Sequence, residues 1–515
     1  MRQLFLILLL AIFVSASTCR RAGSEYVTVA LSEKFSTLDT LTLTAAPSAA
    51  DERVRNLIFN TLVRKNEKFE YVGELAQDIK TSADGLTLTF TLRDGIKFQN
   101  GNPLTSADVK YTFTEMFKSN SYKSNAFFDT VDKIKTPHIK SLETPDAKTV
   151  VVTVGRPALA NQLLSNMVAI PIIPDGTIAQ QKEQPVGSGP YKLVKFDQAQ
   201  NIVDFEANPD YWEGAPKVSK LRVKTVPDAN SLQAELQTGG VDIAPLPTNL
   251  PPDTLKSLGN SPTLNVLQTD GSNIQYLIFN TTSAPLDKVK VRQAIGYAID
   301  REKIIKELLF GQARIAHSIV PPESWAYAEG VKYAYDPAKA KQLLQEAGYK
   351  GEPVIFKYGA GIAAVNNYSQ VIQSALTDIG MNIQIETLES NVVRDQLKLG
   401  QFQMYTGIWT GGNQDPIFLK DLFSTRQIPG DTVFCCNRGR YSSPDVDKLL
   451  DTAVNAADRN IAKENYAKAQ EKISEDLPML PLWYPANMVV ANKRIGNIKI
   501  SASGDWSFLK DITVN

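Results

Sequence analysis

The sequence predicts an α/β protein made of two packed masses, joined by more than one crossing of the chain and separated by a cleft. Three observations carry this. The chain has 515 residues, too many for one hydrophobic core and enough for two or three packed units. A strand–helix–strand unit at 354–357, 364–379 and 381–386 implies parallel pairing in a layered sheet. Near the end, 480–490 returns to an extended style punctuated by proline.

Taken in order, packed structure starts near Tyr26, with Val27–Leu31 as a first strand. Residues 53–59 read as a helix feeding Leu62 and Val63. Leu88, Phe90 and Leu92 then alternate with Thr87, Thr89 and Thr91, the period of two that buries one face of a strand. Arg93-Asp94-Gly95 turns the chain, Ile96-Lys97-Phe98 repeats the alternation, and Asn100-Gly101 turns it again. Thr105, with Asp108 three places on, caps a helix whose apolar stripe is Val109, Phe113 and Met116. A strand at 149–154 and a helix at 158–166 follow, then the glycine- and proline-dense turn 185–191, which opens a further strand through Leu193 and Val194. Residues 202–205 alternate again, Leu221, Val223 and Thr225 share a strand face, and Leu232 with Leu236 marks a helix closed by Gly239. After Gly271, residues 274–279 form an apolar strand. Val291, Ala294, Ile295, Ala298 and Ile299 fall at helical spacing, and Asp300 caps a helix ending at Gly311. Asp336-Pro337 opens another, striped by Ala340, Leu343, Leu344 and Ala347 and closed by Gly348.

The ends and the composition narrow the setting. Residues 4–16 are almost wholly apolar behind Arg2, the length of a secretion signal (1–18) and too short for a bilayer, which needs roughly 20 apolar residues. Cys19 follows Ala16-Ser17-Thr18, which resembles a bacterial lipobox with unusual residues three places and one place before the cysteine. Cys19 is therefore expected to carry a lipid anchor, with 19–25 as the tether. The alternative is an ordinary signal peptide cut nearby, leaving a lone thiol. Basic and acidic residues balance, 55 against 55, so no field selects nucleic acid or an anionic membrane. Cys435 and Cys436 are adjacent. Neighbouring Cα atoms sit roughly 3.8 Å apart, short of the usual disulfide span of about 4.4–6.8 Å. Two buried thiols, a strained bridge and a soft-metal site all remain open.

Several separated segments resemble the family 5 extracellular solute-binding proteins, the dipeptide-, oligopeptide- and nickel-binding receptors of ABC importers. In chain order they are Leu38-Asp39-Thr40, Glu74-Leu75-Ala76 onward to Phe117, Pro185 to Tyr191, Asn208-Pro209-Asp210-Tyr211-Trp212 and Gly239-Gly240-Val241-Asp242-Ile243. Phe279-Asn280 onward to Arg301, Tyr441 to Leu450, and Leu477-Pro478-Met479-Leu480-Pro481-Leu482 complete the series. The resemblance implies a two-lobed periplasmic-binding-protein fold of type II, in the large cluster with an extra subdomain. Lobe I would hold 26–272 and the return 486–515, with the subdomain at about 66–183; lobe II would be 273–485. It further implies a monomer outside the cytoplasm that traps a small peptide between hinged lobes and passes it to an ABC permease, touching the membrane only through its anchor. No cofactor or metal is expected. Oligosaccharide, opine and nickel complexes are alternative ligands on the same fold, and a surface adhesin or chaperone would also keep it.

By the same resemblance the candidate ligand contacts are Trp409, Thr410, Gly411, Gly412, Asn413 and Asp415, together with Ala45 and Ala46, which fall in a stretch that lines the cleft in relatives. Peptide-binding relatives commonly read Trp-x-x-Asp-x-x-Asp-Pro here, the first Asp pairing with the ligand's ammonium. This chain has Gly412 at that place and keeps Asp415. Such a charge-assisted pair contributes about 1.5–3 kcal/mol. The ligand either lacks a free amine, or Asp415 or Asp421 replaces the missing acid. Gly359-Ala360-Gly361, at a strand end before a helix, also points to the cleft mouth.

Enzyme readings are poorly supplied. The chain has 2 histidines, His138 in a polar stretch expected at the surface and His317 in a loop. There is no nucleophile elbow, zinc-protease helix or phosphate-binding glycine loop. A secreted hydrolase with unmarked carboxylates is the remaining catalytic reading.

Overall fold

Two sheets organise the chain, and the crossings between them define the molecule. The computed structural model describes residues 25–131, 134–411, 414–430, 436–456 and 458–515. The anchor expected at Cys19 and the signal segment lie outside them, as do Gly412, Asn413 and Cys435.

The first sheet has 7 strands, in the order Tyr191–Asp197, Ile202–Ala207, Lys220–Thr225, Val27–Leu31, Ile243–Pro245, Asn487–Asn492 and Leu264–Thr269. Val27–Leu31 lies parallel to Lys220–Thr225, with Val29 opposite Val223. All five of its residues are buried, as expected for a strand covered on both faces. The second sheet has 6 strands, ordered Ala313–Ile315, Met479–Pro485, Ile274–Phe279, Met404–Trp409, Pro353–Gly359 and Asn382–Leu388. Pro353–Gly359 and Asn382–Leu388 are parallel and joined by the helix Ala363–Asp378, as the sequence pattern requires.

Each sheet has its own core. In the second, Leu277, Phe279 and Met404 face one way, into a cluster with Val291 and Ile372, while Ile274, Tyr276 and Ile278 face the other, against Phe418, Leu422 and Tyr466. The chain passes from the first sheet to the second between Thr269 and Ile274, and returns between Pro485 and Asn487. The crossings touch: a Cβ on Gly271 would lie 2.1 Å from the Pro485 carbonyl oxygen. Only glycine fits there.

A separate sheet of 4 strands, Ala76–Thr81, Thr87–Leu92, Thr149–Val154 and Ile139–Asp146, shares its core cluster with the first sheet. Leu88, Phe90 and Leu92 are buried and the threonines between them half-buried. The helix Ser106–Lys118 starts where its capping pair stands, with Thr105 N–H donating to Asp108 Oδ2 at 2.8 Å.

The family-like wording between 58 and 212 is mostly scaffold. The Gln99 amide nitrogen donates to the carbonyls of Ile58, Gly189 and Tyr191 at 3.0, 3.2 and 2.7 Å. Glu74, held above its ordinary carboxyl range by burial, accepts from Asn60 and from Thr61 N–H and Oγ1–H. Trp212 donates to Asn60 Oδ1 at 3.2 Å, and Asn208 to the Gly189 carbonyl at 3.1 Å. Arg292 and Arg301, in the later segment, are buried and spend their donors on main-chain carbonyls of Asp476, Leu286, Ala316 and Tyr333.

Three expectations are corrected and one open alternative is decided. Residues 96–98 form no full strand: Lys97 makes an isolated bridge to Pro103, because the chain folds back at once and Phe98 N–H donates to Asn102 O at 2.9 Å. The helix capped by Asp300 runs regularly over Arg301–Lys303 and then loosens into a π turn over Ile304–Leu308. His138 is 2% exposed, not at the surface; Asp129 Oδ1 lies 3.1 Å from its Nε2, and burial holds its pKa below the usual range. Cys436 is half-buried and disulfide-bonded, which closes the thiol reading for it.

Candidate functional site

The strand Met404–Trp409 runs antiparallel to Ile274–Phe279, so Trp409 pairs with Ile274, the first residue past the crossing. That register sets the end of the strand at the boundary between the lobes. Trp409 is half-buried, its ring edge-on to Phe418 at 4.8 Å, with the Arg438 guanidinium 5.6 Å from its centroid. Among the described residues, Trp409 Nε1 and Arg438 Nε are both buried with no hydrogen-bond partner. An unpaired buried donor costs about 1–3 kcal/mol, so two side by side need an explanation.

Beyond the strand, Gly411 adopts φ +75, where a side chain would be strained, and its N–H donates to Asn273 Oδ1 at 3.1 Å. Gln414 is 4% exposed and ties the loop to the crossing: its Nε2 donates to Ser272 Oγ at 2.9 Å, and Ser324 Oγ donates to its carbonyl at 3.3 Å. Asp415 Oδ1 accepts from Ile417 N–H at 3.0 Å. Thr410 is exposed.

The other wall belongs to the first lobe. Val63–Lys65 and Tyr71–Gly73 form a short hairpin, with Lys65 opposite Tyr71. Lys65 Nζ donates to Gln414 Oε1 at 3.0 Å, and the Tyr71 hydroxyl donates to Asp415 Oδ2. Glu70 accepts from Arg459 at 3.0 Å. Sequence reasoning missed this hairpin, Asn273 and Arg438. Strands of three residues carry no readable period, and Arg438 lies far along the chain from the residues it meets.

Burial dominates the electrostatics. It pushes Asp421 up to about 6, with Asp415 adding and Lys420 opposing. It holds Lys65 below its ordinary value against the pull of Asp415. Tyr71 and Tyr466 are raised by burial first and by Asp415 second. Tyr276 is raised by burial first and by Tyr405 second, Tyr405 by burial, and Arg438 opposes both shifts.

Ala45 and Ala46 are exposed on the first lobe, ahead of the helix Ala49–Ile58. Among the described contacts none joins them to 409–415. Gly359, Ala360 and Gly361 line a separate open depression with Tyr358, Asn366 and Thr387. Among the described residues, no group of three or more His, Cys, Asp and Glu could hold a metal ion, and no helix is long and apolar enough to cross a membrane.

Comparison with known proteins agrees with this architecture. The profile described as "Bacterial extracellular solute-binding proteins, family 5 Middle" matches residues 70–429. The chain is 29% identical over 466 residues to heme-binding protein A of Haemophilus influenzae, covering 85% of this chain and 83% of that protein. It is 29% identical over 506 residues to the glutathione-binding protein GsiB of Escherichia coli O1:K1, covering 96% and 95%. Among solved structures, the oligopeptide-binding protein AppA of Bacillus subtilis, in complex with a nonapeptide, superposes with a TM-score of 0.75 at 24% identity, covering 95% of this chain and 98% of that one.

Proposed function

The chain belongs to the family 5 bacterial extracellular solute-binding proteins, and from that premise we propose that it is the capture receptor of an ABC importer. It closes its lobes on a peptide or peptide-like solute and delivers it unchanged to a membrane permease. The observation that carries this reading is the paired crossing at 270–273 and 486, flanked by walls that meet through Lys65–Gln414 and Tyr71–Asp415. Two lobes on two short strands can hinge, and a hinge with complementary walls is a trap. Heme, glutathione and a nonapeptide appear in the names of its relatives, so the family does not choose the ligand. The cleft side chains must.

The receptor works as a monomer outside the cytoplasm, tethered through a lipid on Cys19. Lobe I holds 26–272 and 486–515, lobe II 273–485. Trp409, Thr410, Gly411, Gly412, Asn413 and Asp415 contact the ligand, and Ala45 and Ala46 are further contacts from the first lobe. The test is thermal unfolding against short peptides, oligosaccharides, nickel complexes and opine-like compounds. A ligand at 100 times its dissociation constant stabilises by about 2.7 kcal/mol. A shift without turnover supports the receptor; product formation, or no shift with any compound, overturns it. Radiolabelled fatty acid fed to cells and absent from this chain would remove the anchor.

A further inference from the structure

The acids at the site are already committed, while the donors are not. Asp415 accepts from Tyr71 across the cleft and from Ile417 N–H. Asp421 is half-buried and lies in the field of the Lys420 ammonium as well as of Asp415; burial raises its carboxyl to about 6, which leaves it charged at neutral pH. Asp415, the acid kept beside Trp409, is not free to meet a ligand's ammonium group. Opposite to this, among the described residues Trp409 Nε1 and Arg438 Nε have no hydrogen-bond acceptor, and the Arg438 guanidinium pairs with no carboxylate. Its Cζ lies over the Trp409 ring, 5.6 Å from the centroid, and a guanidinium held against an aromatic face offers its planar fork to a two-oxygen anion. Exposed Arg394 adds positive field at Tyr405, next to Arg438.

We propose that Trp409 and Arg438 are the ligand's anchor and that they take a carboxylate, so that the solute is chosen by an anionic group and needs no free ammonium. This rests on the receptor reading above and names its substrate class. The indole donates one hydrogen bond and the guanidinium a charge-assisted pair, with no covalent step.

Three pools of randomised tetrapeptides separate the possibilities: unmodified, N-acetylated and C-amidated, each measured by calorimetry on the whole mature chain. The unmodified and acetylated pools are expected to bind within about threefold of each other, and the amidated pool to bind about tenfold to a hundredfold more weakly. Arg438→Gln should erase the difference between carboxylate and amide, while Trp409→Phe, which keeps the ring, should weaken the carboxylate pools about twofold to tenfold. Matching melting curves show that each variant is folded. Equal binding of the amidated pool, or a tenfold loss on acetylation, overturns the anchor and leaves the receptor intact. Silence from all three pools removes the peptide reading and the anchor together.

Discussion

Tyr71 and Asp415, 344 residues apart in sequence, meet across the cleft through the tyrosine hydroxyl. The phenol comes from a first-lobe hairpin and the carboxylate from the loop after Trp409. A hydrogen bond to a carboxylate contributes about 1.5–3 kcal/mol, enough to move an open–closed equilibrium by roughly an order of magnitude or more. Tyr71→Phe should therefore enlarge the ligand-free molecule in small-angle scattering, and bound solute should restore the compact form. A scattering curve identical to the parent's would show that this contact does not hold the lobes.

Asp421 should give stability an unusual pH slope. Its carboxyl titrates at about 6 in the folded protein instead of near 3.8, chiefly because it is buried. The folded state thus keeps a proton that the unfolded chain releases. The stability from this group is complete below about pH 4 and is lost as pH rises to about 6, a change on the order of 2–3 kcal/mol. Asp421→Asn should flatten that part of the profile, gaining on the parent as pH rises from 4 to 6 in urea melts. Parallel profiles for the two proteins would remove the assignment.

Gly187 is a packing requirement. A Cβ there would lie 2.1 Å from Ile58 O and 2.7 Å from Phe59 Cδ1, and backbone cannot swing away as a long side chain can. Gly187→Ala should cost about 1–3 kcal/mol of stability with unchanged solute binding per folded molecule. Gly430, where an added Cβ meets nothing within 4 Å, provides the control. Equal denaturation midpoints for both variants would contradict the close contact.

Much of the fold is legible because its signals are local. The alternation at 87–92, the Thr105–Asp108 cap and the proline-led helix at Pro337–Glu346 each announce themselves within a few residues. The Trp409 stretch is legible only through its family wording. What closes the site is not: Lys65, Tyr71 and Arg438 reach it by tertiary approach, and a three-residue strand leaves no period to read. His138 misled because polar neighbours in sequence said nothing about its burial in space, at 2% exposure. Residues 96–98 misled because alternation also fits a tight apolar loop, with Ile96 and Phe98 buried but unpaired as a strand.

Gly412→Asp reverses the charge logic of the site and so tests it from the other side. With Asp415 taken by Tyr71 and Asp421 in the field of the Lys420 ammonium, neither acid stands free for a ligand's ammonium group. An aspartate at 412 supplies one at the spacing from Trp409 used by peptide-binding relatives. Free-amine peptides should then bind about tenfold or more tightly than to the parent, on the scale of one charge-assisted pair. N-acetylated peptides should gain nothing, and should weaken if the new carboxylate opposes theirs near Arg438. Titration calorimetry with one matched pair of peptides decides it. An unchanged or poorer affinity for the free-amine peptide would mean that another group already holds the ammonium and that the glycine is incidental.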